Sequence, residues 1–284
     1  MKKIERDQYL SILKDFKDKQ IIKVITGIRR CGKSTILEIF QEYLKQIGVQ
    51  EQQIISINFE NADYEELQDR KKLYEYLKQR LVKNEKTYIF LDEIQKVKEF
   101  EKTVDSLYIN KDVDIYITGS NAYLLSSELA TLLTGRYIEI KMLPLSFKEY
   151  VSSFEEKIDL SKKFMNYLKY SSFPQAVDIY ITNPNNIGIF LEGIYSTILY
   201  NDVMARKDIT NKDVLERVVK YLYDNIGNRT SVKSISDNIE GITNSNSYNT
   251  ISKYIEALVD SYMVYRVNRY DIKGKEFLKT QEKY

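Results

Sequence analysis

The sequence lacks several residues on which common catalytic and structural sites depend. It has no histidine, one cysteine, ten glycines and three prolines among 284 residues. The absence of histidine excludes a Ser-His or Cys-His triad, an HExxH zinc site and a histidine proton relay. The single cysteine, Cys31, cannot close an intramolecular disulfide or form a multi-cysteine zinc cluster. Because glycine and proline are scarce, long flexible linkers are not expected either.

Long apolar runs and a strong charge imbalance are also missing. No stretch approaches the roughly 20 apolar residues of a membrane span, and the start MKKIERDQYL has no apolar run of the signal-peptide kind. We therefore expect a cytoplasmic protein in a reducing compartment with no membrane partner. The 43 basic and 41 acidic residues give a net charge of +2. A case for nucleic-acid binding must therefore rest on local patches.

Apolar runs of strand length alternate with helical periodicity over residues 1–145. Because the runs are almost continuously apolar, they predict a parallel sheet covered by helices on both faces. The predicted strands are residues 21–26, 54–59, 88–91, 113–118 and 137–143. The main helices predicted between them are residues 33–47, 67–82, 100–108 and 123–133. The first 145 residues are thus predicted to form one α/β domain.

Beyond Pro144 the pattern becomes helical. Helices are predicted over residues 147–154, 160–170 and 187–204, so we interpret residues 146–208 as a helical linker or lid. Three further helices follow, and then two strand-like runs at 262–270 and 276–278. This order is typical of a winged helix-turn-helix, which we predict over residues 209–284.

The loop after the first predicted strand fits the pattern GxxxxGK[ST]. It reads Gly27-Ile28-Arg29-Arg30-Cys31-Gly32-Lys33-Ser34 and is followed by a predicted helix. Glycines let consecutive backbone N–H groups point at phosphate oxygens, and the helix N-terminus adds a favourable dipole. The segment therefore predicts a nucleotide phosphate site, with Lys33 on the β and γ phosphates and Ser34 as a Mg²⁺ ligand.

Three loop residues have alternative interpretations. Cys31 is either a tolerated small residue or a thiol whose oxidation blocks nucleotide binding. Arg29 and Arg30 either contribute to the phosphate site or pair with carboxylates of the same domain.

The third predicted strand ends in adjacent carboxylates, Asp92 and Glu93, as a Walker B segment does. Asp92 would hold Mg²⁺, and Glu93 would polarise the water that attacks the γ-phosphate. In a chain without histidine, a carboxylate is the natural candidate for that base. The pair favours hydrolysis over a small-molecule kinase. The alternative is an ordinary strand end that runs into a polar loop.

Three further residues are candidates for sensing the γ-phosphate. Ser120 and Asn121 follow the fourth predicted strand, where they would act either as a sensor or as an N-cap for the next helix. Arg136 follows Gly135 at the start of the fifth strand. It would act as an arginine finger or sensor, or it is an ordinary exposed arginine.

Several segments together resemble a known family. GIRRCGKST, FLDEIQKV, ITGSNAYLLSSELATLLTGRYIEI and LPLSFKEY are similar to segments of predicted AAA+ superfamily ATPases of bacteria and archaea, the AAA_14/DUF4143 type. SSFPQAV at residues 171–177 and YNDVMARKDI at 200–209 extend the resemblance. Many members have glycines where this chain has Ser171 and Ser172. Members continue past a KYY-like segment into a DUF4143 domain, whereas this sequence stops at Tyr284, so we expect that domain to be missing.

The resemblance implies a P-loop NTPase fold of the AAA+, ASCE-like kind. It implies ATP binding at Gly32, Lys33, Ser34 and Thr35. We also predict that Gly27, Arg30 and Cys31 of the same loop contribute to nucleotide binding. The resemblance also implies metal and water chemistry at Asp92 and Glu93, and a sensor at Ser120 or Asn121.

Two functions follow as hypotheses. The first is a Mg²⁺-dependent ATPase that couples its nucleotide state to movement of the winged-helix region. The alternative is an ATP-gated DNA- or protein-binding module with little or no turnover. Residues 211–284 hold 12 basic and 10 acidic residues, a modest excess, so a DNA partner and a structural lid both stay open. The oligomeric state is open as well.

Overall fold

The computed structural model describes residues 4, 6–120, 133–154, 159–205, 207–239, 247–267 and 283–284. The chain divides into two compact units, Met1–Leu191 and Glu192–Tyr284. The predicted domain limits at residues 145 and 208 stay predictions. The helix predicted over residues 123–133 lies almost entirely outside the described residues, and Asn121 lies wholly outside them.

The first unit holds a five-stranded sheet with helices before, between and after its strands. The strands are β1 (Ile22–Thr26), β2 (Ile54–Asn58), β3 (Thr87–Asp92), β4 (Val113–Gly119) and β5 (Tyr137–Lys141). The helices are α1 (Asp7–Asp15), α2 (Lys33–Gln46), α3 (Arg70–Arg80), α4 (Phe100–Tyr108), α5 (Phe147–Ser152), α6 (Leu160–Tyr170) and α7 (Pro174–Thr182). Short 3₁₀ turns cover Glu51–Gln53, Ala62–Gln68, Ile94–Lys96 and Pro184–Asn186. Helix α8 (Ile187–Thr197) spans the division between the units.

The strand order is β2-β3-β4-β1-β5, and every described neighbouring pair is parallel. The five predicted strands are therefore present, with small shifts at their ends. Because all strands run in one direction, the loops that follow them meet at one edge of the sheet. Strand β4 lies between β1 and β3. The loop after β1 and the acidic pair after β3 therefore lie on opposite sides of the end of β4.

Both faces of the sheet are buried, as the continuous apolar runs predict. On one face, Ile89 and Leu91 of β3 pack in a core with Leu73 and Leu77 of α3. On the other face, Phe90 of β3 stacks on Tyr116 of β4, and Phe40 of α2 packs against both rings. The two layers of helices keep the sheet away from water.

Two helices differ from the prediction. The helix predicted over residues 67–82 begins only at Arg70, because the Asp69 side chain caps it by accepting hydrogen bonds from the backbone N–H groups of Lys71 and Lys72. Helix α7 was not predicted. Its start at Pro174 follows the preference of proline for the first turn, where no N–H donor is needed.

The second unit is helical in its described part. After the end of α8 come a π-helical stretch (Ile198–Met204), α9 (Lys212–Asp224), α10 (Val232–Asn238) and α11 (Ser247–Asp260). An antiparallel bridge joins Val267 to Lys283. The three predicted helices are thus present, but most of the predicted wing falls on residues 268–282, outside the described part. The winged helix stays a prediction.

No helix in the described part of the chain is both long and apolar enough to cross a membrane. The expected cytoplasmic location stays a prediction.

A buried ion pair links β1 to β4 near the amino ends of the strands. The Lys23 ammonium donates to Asp114 and, at 3.2 Å, to the carbonyl of Lys19. The other Asp114 oxygen accepts hydrogen bonds of 2.9 Å from the Tyr116 hydroxyl and from the backbone N–H of Asp18. Burial lowers the pKa of Lys23, and the Asp114 carboxylate opposes that effect. The charge on Lys23 is therefore supported mainly by the Asp114 carboxylate, with a smaller contribution from Asp18.

We expect Asp114→Asn to lower the free energy of unfolding by about 3 to 5 kcal/mol, because it removes the hydrogen-bonded counter-charge of a buried ammonium. Urea denaturation followed by far-ultraviolet circular dichroism would measure the loss. Glu51→Gln is the matched control, since Glu51 pairs with Lys45 on the exposed surface and its loss should change little. A loss no larger than that of the control would contradict a role for the buried pair.

Candidate nucleotide-binding site

The phosphate loop joins β1 to α2 and depends on two glycines. Gly27 has a φ of 151°, and a Cβ there would lie 2.1 Å from the carbonyl oxygen of Met142. Gly32 has a φ of 103° and directly precedes the first residue of α2. Arg30 also has a positive φ, of 69°. Only glycine fits at Gly27, so the close packing of the loop against the chain after β5 requires it.

Lys33, the first residue of α2, folds back over this loop. Its ammonium donates to the carbonyl oxygens of Gly27 at 3.1 Å and Ile28 at 3.4 Å. It also lies 3.7 Å from Oε1 of Glu93, although it is only 4% exposed. The structure thus brings the predicted phosphate-binding lysine and the predicted base together at the carboxyl edge of the sheet.

Asp92 ends β3 and is held by side chains from three other elements. The Thr118 hydroxyl at the end of β4 donates to Oδ1, and the Asn58 amide at the end of β2 donates to Oδ2 at 3.0 Å. The Ser34 hydroxyl, on the second residue of α2, also hydrogen-bonds to the carboxylate. Burial raises the pKa of Asp92, and the hydrogen bonds from Ser34 and Thr118 counteract it.

The contact between Ser34 and Asp92 brings together two hard oxygen donors of the kind that Mg²⁺ prefers. Among the described residues, no group of three or more histidine, cysteine or acidic side chains is placed to hold a metal ion. Mg²⁺ is usually bound by one or two protein oxygens together with substrate phosphates and water. The pair therefore fits a Mg²⁺ ion whose remaining ligands come from a nucleotide and water.

Glu93 has a left-handed backbone with φ 55° and ψ 44°, and its side chain is buried. Its backbone N–H donates to the Thr118 hydroxyl at 3.0 Å. Its Oε2 atom accepts a hydrogen bond from the side-chain amide of Gln95. The two carboxylate oxygens thus have different partners, Lys33 at Oε1 and Gln95 at Oε2.

Arg6 ties the segment before α1 to the phosphate loop. Its guanidinium donates to the carbonyl oxygens of Cys31 at 2.9 Å and Leu143 at 2.7 Å, and to the Glu149 carboxylate at 3.0 Å. Only 5% of Arg6 is exposed. No local motif in the sequence marks this residue.

A cavity of about 490 Å³ lies beside the loop. Its lining is mainly apolar and comes from the segment before α1, from α2, from the chain after β5 and from α7. The lining residues are Ile4, Arg6, Gly32, Thr35, Ile36, Ile39, Leu145, Pro174, Gln175 and Asp178. Its size and apolar character suit a flat organic ring system, and Gly32 and Thr35 connect it to the phosphate loop.

Cys31 is fully buried and free. Burial raises the pKa of its thiol, although Lys33 and Arg6 act in the opposite direction. A buried thiol with a raised pKa is a poor nucleophile at neutral pH. This environment favours the interpretation of Cys31 as a small packed residue over that of a redox sensor.

The sensor candidates differ in position. Ser120 is buried at the end of β4, and its hydroxyl has no hydrogen-bond partner among the described residues. This end of β4 lies at the same edge of the sheet as Asp92 and Lys33. The sensor role of Ser120 or Asn121 stays a prediction.

The structure does not bring Arg136 to this group. Arg136 pairs with Asp105 of α4, and its guanidinium lies 5.5 Å from the ring centre of Tyr108. It directly precedes β5, whose first residue pairs with the first residue of β1, so it lies at the opposite edge of the sheet. A role for Arg136 at a phosphate stays a prediction. Its position at the opposite edge of the sheet argues against contact with a phosphate bound to the same chain. In the loop itself, Arg29 pairs with Glu60 at 3.3 Å.

Sequence reasoning did not assign four residues that contact the candidate site: Asn58, Thr118, Gln95 and Arg6. Asn58 is a polar residue at the end of a predicted strand, and Thr118 ends the fourth predicted strand, two residues before the predicted sensor residue Ser120. At Asn58 and Thr118, the position of a polar residue at a strand end could therefore have indicated a place in the site.

Comparison with known proteins supports the family and the fold class of this chain. Residues 19–151 match the AAA domain family AAA_14, and residues 161–284 match a domain of unknown function, DUF8612. The fold is similar to that of a Walker-type ATPase of Pyrococcus abyssi, with a TM-score of 0.62 at 14% identity over 99% of this chain and 93% of that one. The fold is therefore that of a P-loop ATPase.

Two relatives are similar along most of the sequence. An uncharacterized protein of Haemophilus influenzae is 39% identical over 287 residues, which cover 99% of this chain and 70% of that protein. The uncharacterized protein MJ1544 of Methanocaldococcus jannaschii is 32% identical, over 89% of this chain and 58% of its own length. The chain belongs to the AAA_14 family of predicted AAA+ superfamily ATPases. The domain matched at its C-terminal part is DUF8612, not the DUF4143 domain that the resemblance named.

We expect Cys31 to react slowly with iodoacetamide in the folded protein, by about 100-fold relative to the urea-denatured chain, because the thiol is buried and its pKa is raised. Mass spectrometry of alkylated samples over time would measure both rates. Similar rates in the folded and denatured protein would contradict the buried position and restore the redox-sensor interpretation.

Proposed function

We propose that this chain binds ATP with Mg²⁺ and hydrolyses it to ADP and phosphate. The observation that carries the proposal is the 3.7 Å approach of the Lys33 ammonium to the Glu93 carboxylate. It puts the two groups that act on the γ-phosphate, one by charge and one as a base, within one site.

Each residue of the group has a distinct chemical role. Lys33 exchanges its contacts with the loop carbonyls for the β and γ phosphates. Ser34 and Asp92 provide oxygen ligands for Mg²⁺, which supplies charge neutralisation at the phosphates when bound. Glu93 takes a proton from the attacking water. Thr118 fixes the positions of Asp92 and Glu93 relative to each other through its hydrogen bonds to the Asp92 carboxylate and to the backbone of Glu93.

The cavity beside the loop holds the base and ribose. It begins at Gly32 and Thr35, so a nucleotide whose phosphates lie on the loop has its base within reach of the apolar lining. Ile36 and Ile39 of α2 and Pro174 of α7 contact the ring faces in this arrangement.

Helix α7 connects the proposed nucleotide site to the C-terminal part of the chain. Pro174, Gln175 and Asp178 of α7 line the cavity, and the chain continues from α7 through α8 into the second unit. A bound base contacts α7 directly, so occupancy of the cavity changes the environment of this helix. This supports coupling of the nucleotide state to the C-terminal region.

The second candidate, an ATP-gated DNA- or protein-binding module, rests on the Val267–Lys283 bridge after three helices. The bridge pairs a residue of the first predicted wing strand with a residue that follows the second predicted wing strand. An ATP-dependent mobility shift with DNA that weakens with salt would support this candidate, whereas no shift at low salt would remove its DNA form.

We expect Lys33→Ala to abolish ATP turnover and to weaken ATP binding, because it removes the positive charge at the phosphates. Glu93→Gln should bind ATP as the wild type does and reduce turnover by about 100-fold or more, since the base is lost. Titration with ATP, GTP and a non-hydrolysable analogue, followed by measurement of phosphate release, would give both quantities.

Lys45→Ala is the control for these variants, because Lys45 lies at the far end of α2 in an exposed ion pair with Glu51. Its turnover should equal that of the wild type. If the wild type released no more phosphate than Lys33→Ala, with or without DNA, hydrolysis would be excluded. ATP binding without turnover would then leave the second candidate.

The cavity makes a separate prediction. Adenosine has no phosphates, so it should bind the wild type and Lys33→Ala with equal affinity. ATP, in contrast, should bind Lys33→Ala more weakly than it binds the wild type. Competition with a fluorescent nucleotide and saturation-transfer nuclear magnetic resonance would compare them. Failure of adenosine to bind a protein that binds ATP would place the base outside this cavity.

A further inference from the structure

Gln95 touches the proposed base and has a role in neither of the functions above. It is the middle residue of the 3₁₀ turn Ile94–Lys96, two residues after Glu93. Its side-chain amide nitrogen donates to Oε2 of Glu93. Its side-chain oxygen is buried and has no hydrogen-bond partner among the described residues. A buried acceptor without a partner is unfavourable, so a water molecule or ligand that donates a hydrogen bond to this oxygen would be stabilising.

The backbone beneath Gln95 is held firmly. Glu93 has a positive φ of 55°, and its carbonyl accepts a hydrogen bond of 3.2 Å from the backbone N–H of Lys96. The N–H of Val97 donates to the carbonyl of Ile94 at 2.9 Å. The side chains of Ile94 and Val97 are 0% and 1% exposed and belong to the core under the sheet. Gln95 therefore projects from a turn that is anchored on both sides.

The two oxygens of Glu93 have different partners, and this difference indicates which oxygen would face a phosphate bound by Lys33. Oε1 lies 3.7 Å from the ammonium of Lys33, the residue that marks the phosphate position. Oε2 is occupied by Gln95. When Lys33 turns to a phosphate, Oε1 becomes free on the phosphate side, whereas Oε2 keeps its hydrogen bond. The amide thus determines which oxygen is available to a water molecule.

We propose that Gln95 positions both Glu93 and the attacking water for hydrolysis, an inference that rests on the proposed ATPase function. The amide N–H anchors Oε2 of Glu93 so that Oε1 accepts one proton of the water. The amide oxygen of Gln95, one carbon away from that N–H, accepts a hydrogen bond from the second proton. The water is thereby held at two points, with an oxygen lone pair directed at the γ-phosphorus.

The reaction balances without any other reactant. The water oxygen forms a bond to the γ-phosphorus as the bond from that phosphorus to the β,γ-bridging oxygen breaks, and ADP leaves with the electron pair. Glu93 takes one water proton and later releases it to solvent. The other proton stays on the oxygen that has become part of the phosphate.

Gln95→Met removes both hydrogen-bonding groups and keeps an unbranched side chain of similar length. We expect kcat for ATP to fall by about 10- to 100-fold while the Kd for ATP stays within about two-fold, because only the hydrolytic step uses the amide. Thermal unfolding of each variant checks that the fold is retained. Gln20→Met is the matched control, since the exposed Gln20 amide donates at 3.2 Å to the Tyr108 carbonyl at the opposite edge of the sheet.

A double variant separates a role through Glu93 from a merely structural one. Residues that act as one unit are not additive. In single-turnover measurements, Gln95→Met should therefore cause a smaller loss in the Glu93→Gln background than in the wild-type background. A loss equal to that in the wild-type background would overturn the proposal, as would an unchanged kcat in Gln95→Met.

The two proposals fail in different ways. Wild-type turnover no higher than that of Lys33→Ala overturns the ATPase function and the role of Gln95 with it. Wild-type turnover that is well above that control, and is the same in Gln95→Met, overturns only the role of Gln95.

Discussion

The site depends on the hydroxyl of Thr118, which donates to Asp92 and accepts from the backbone N–H of Glu93. Two adjacent carboxylates are buried at the end of β3, where water cannot solvate them well, so protein donors must replace it. Thr118 serves both residues at once from the neighbouring strand. Asn58 and Ser34 complete the donors around Asp92, and Gln95 and Lys33 serve Glu93. Each donor comes from a place that the parallel sheet fixes.

The sheet order explains why one hydroxyl can do this. Strand β4 lies between β1 and β3, so its end lies between the phosphate loop and the acidic pair. The loop approaches the chain after β5 so closely at Gly27 that a side chain has no room. Arg6 then joins the loop carbonyl of Cys31 to the carbonyl of Leu143. The phosphate site, the acidic pair and the cavity are thus parts of one connected arrangement.

Local patterns predicted the strands well because each strand depends on neighbours along the chain, whereas the roles of the motif residues stay predictions. The strand, glycine loop and helix around Lys33 form one contiguous segment, and Asp92 and Glu93 directly follow an apolar run. The same reasoning was weaker where a single residue changes the outcome. Because Asp69 caps α3, this helix starts later than hydrophobic periodicity predicted. Pro174 is the first residue of a helix that hydrophobic periodicity did not indicate. Arg136 is adjacent to a glycine in sequence, yet the strand direction puts it at the far edge of the sheet.

The sequence by itself determined the candidate groups for chemistry: a glycine loop with Lys33, an adjacent carboxylate pair and no histidine to compete as a base. These features are local, so residue type and spacing suffice to define them. Only the tertiary structure decided which groups support them. Thr118 is 26 residues from Asp92, Asn58 is 34 residues from it, and Arg6 is 143 residues from Glu149. Contacts over such separations arise from the order and direction of strands, which no local pattern encodes.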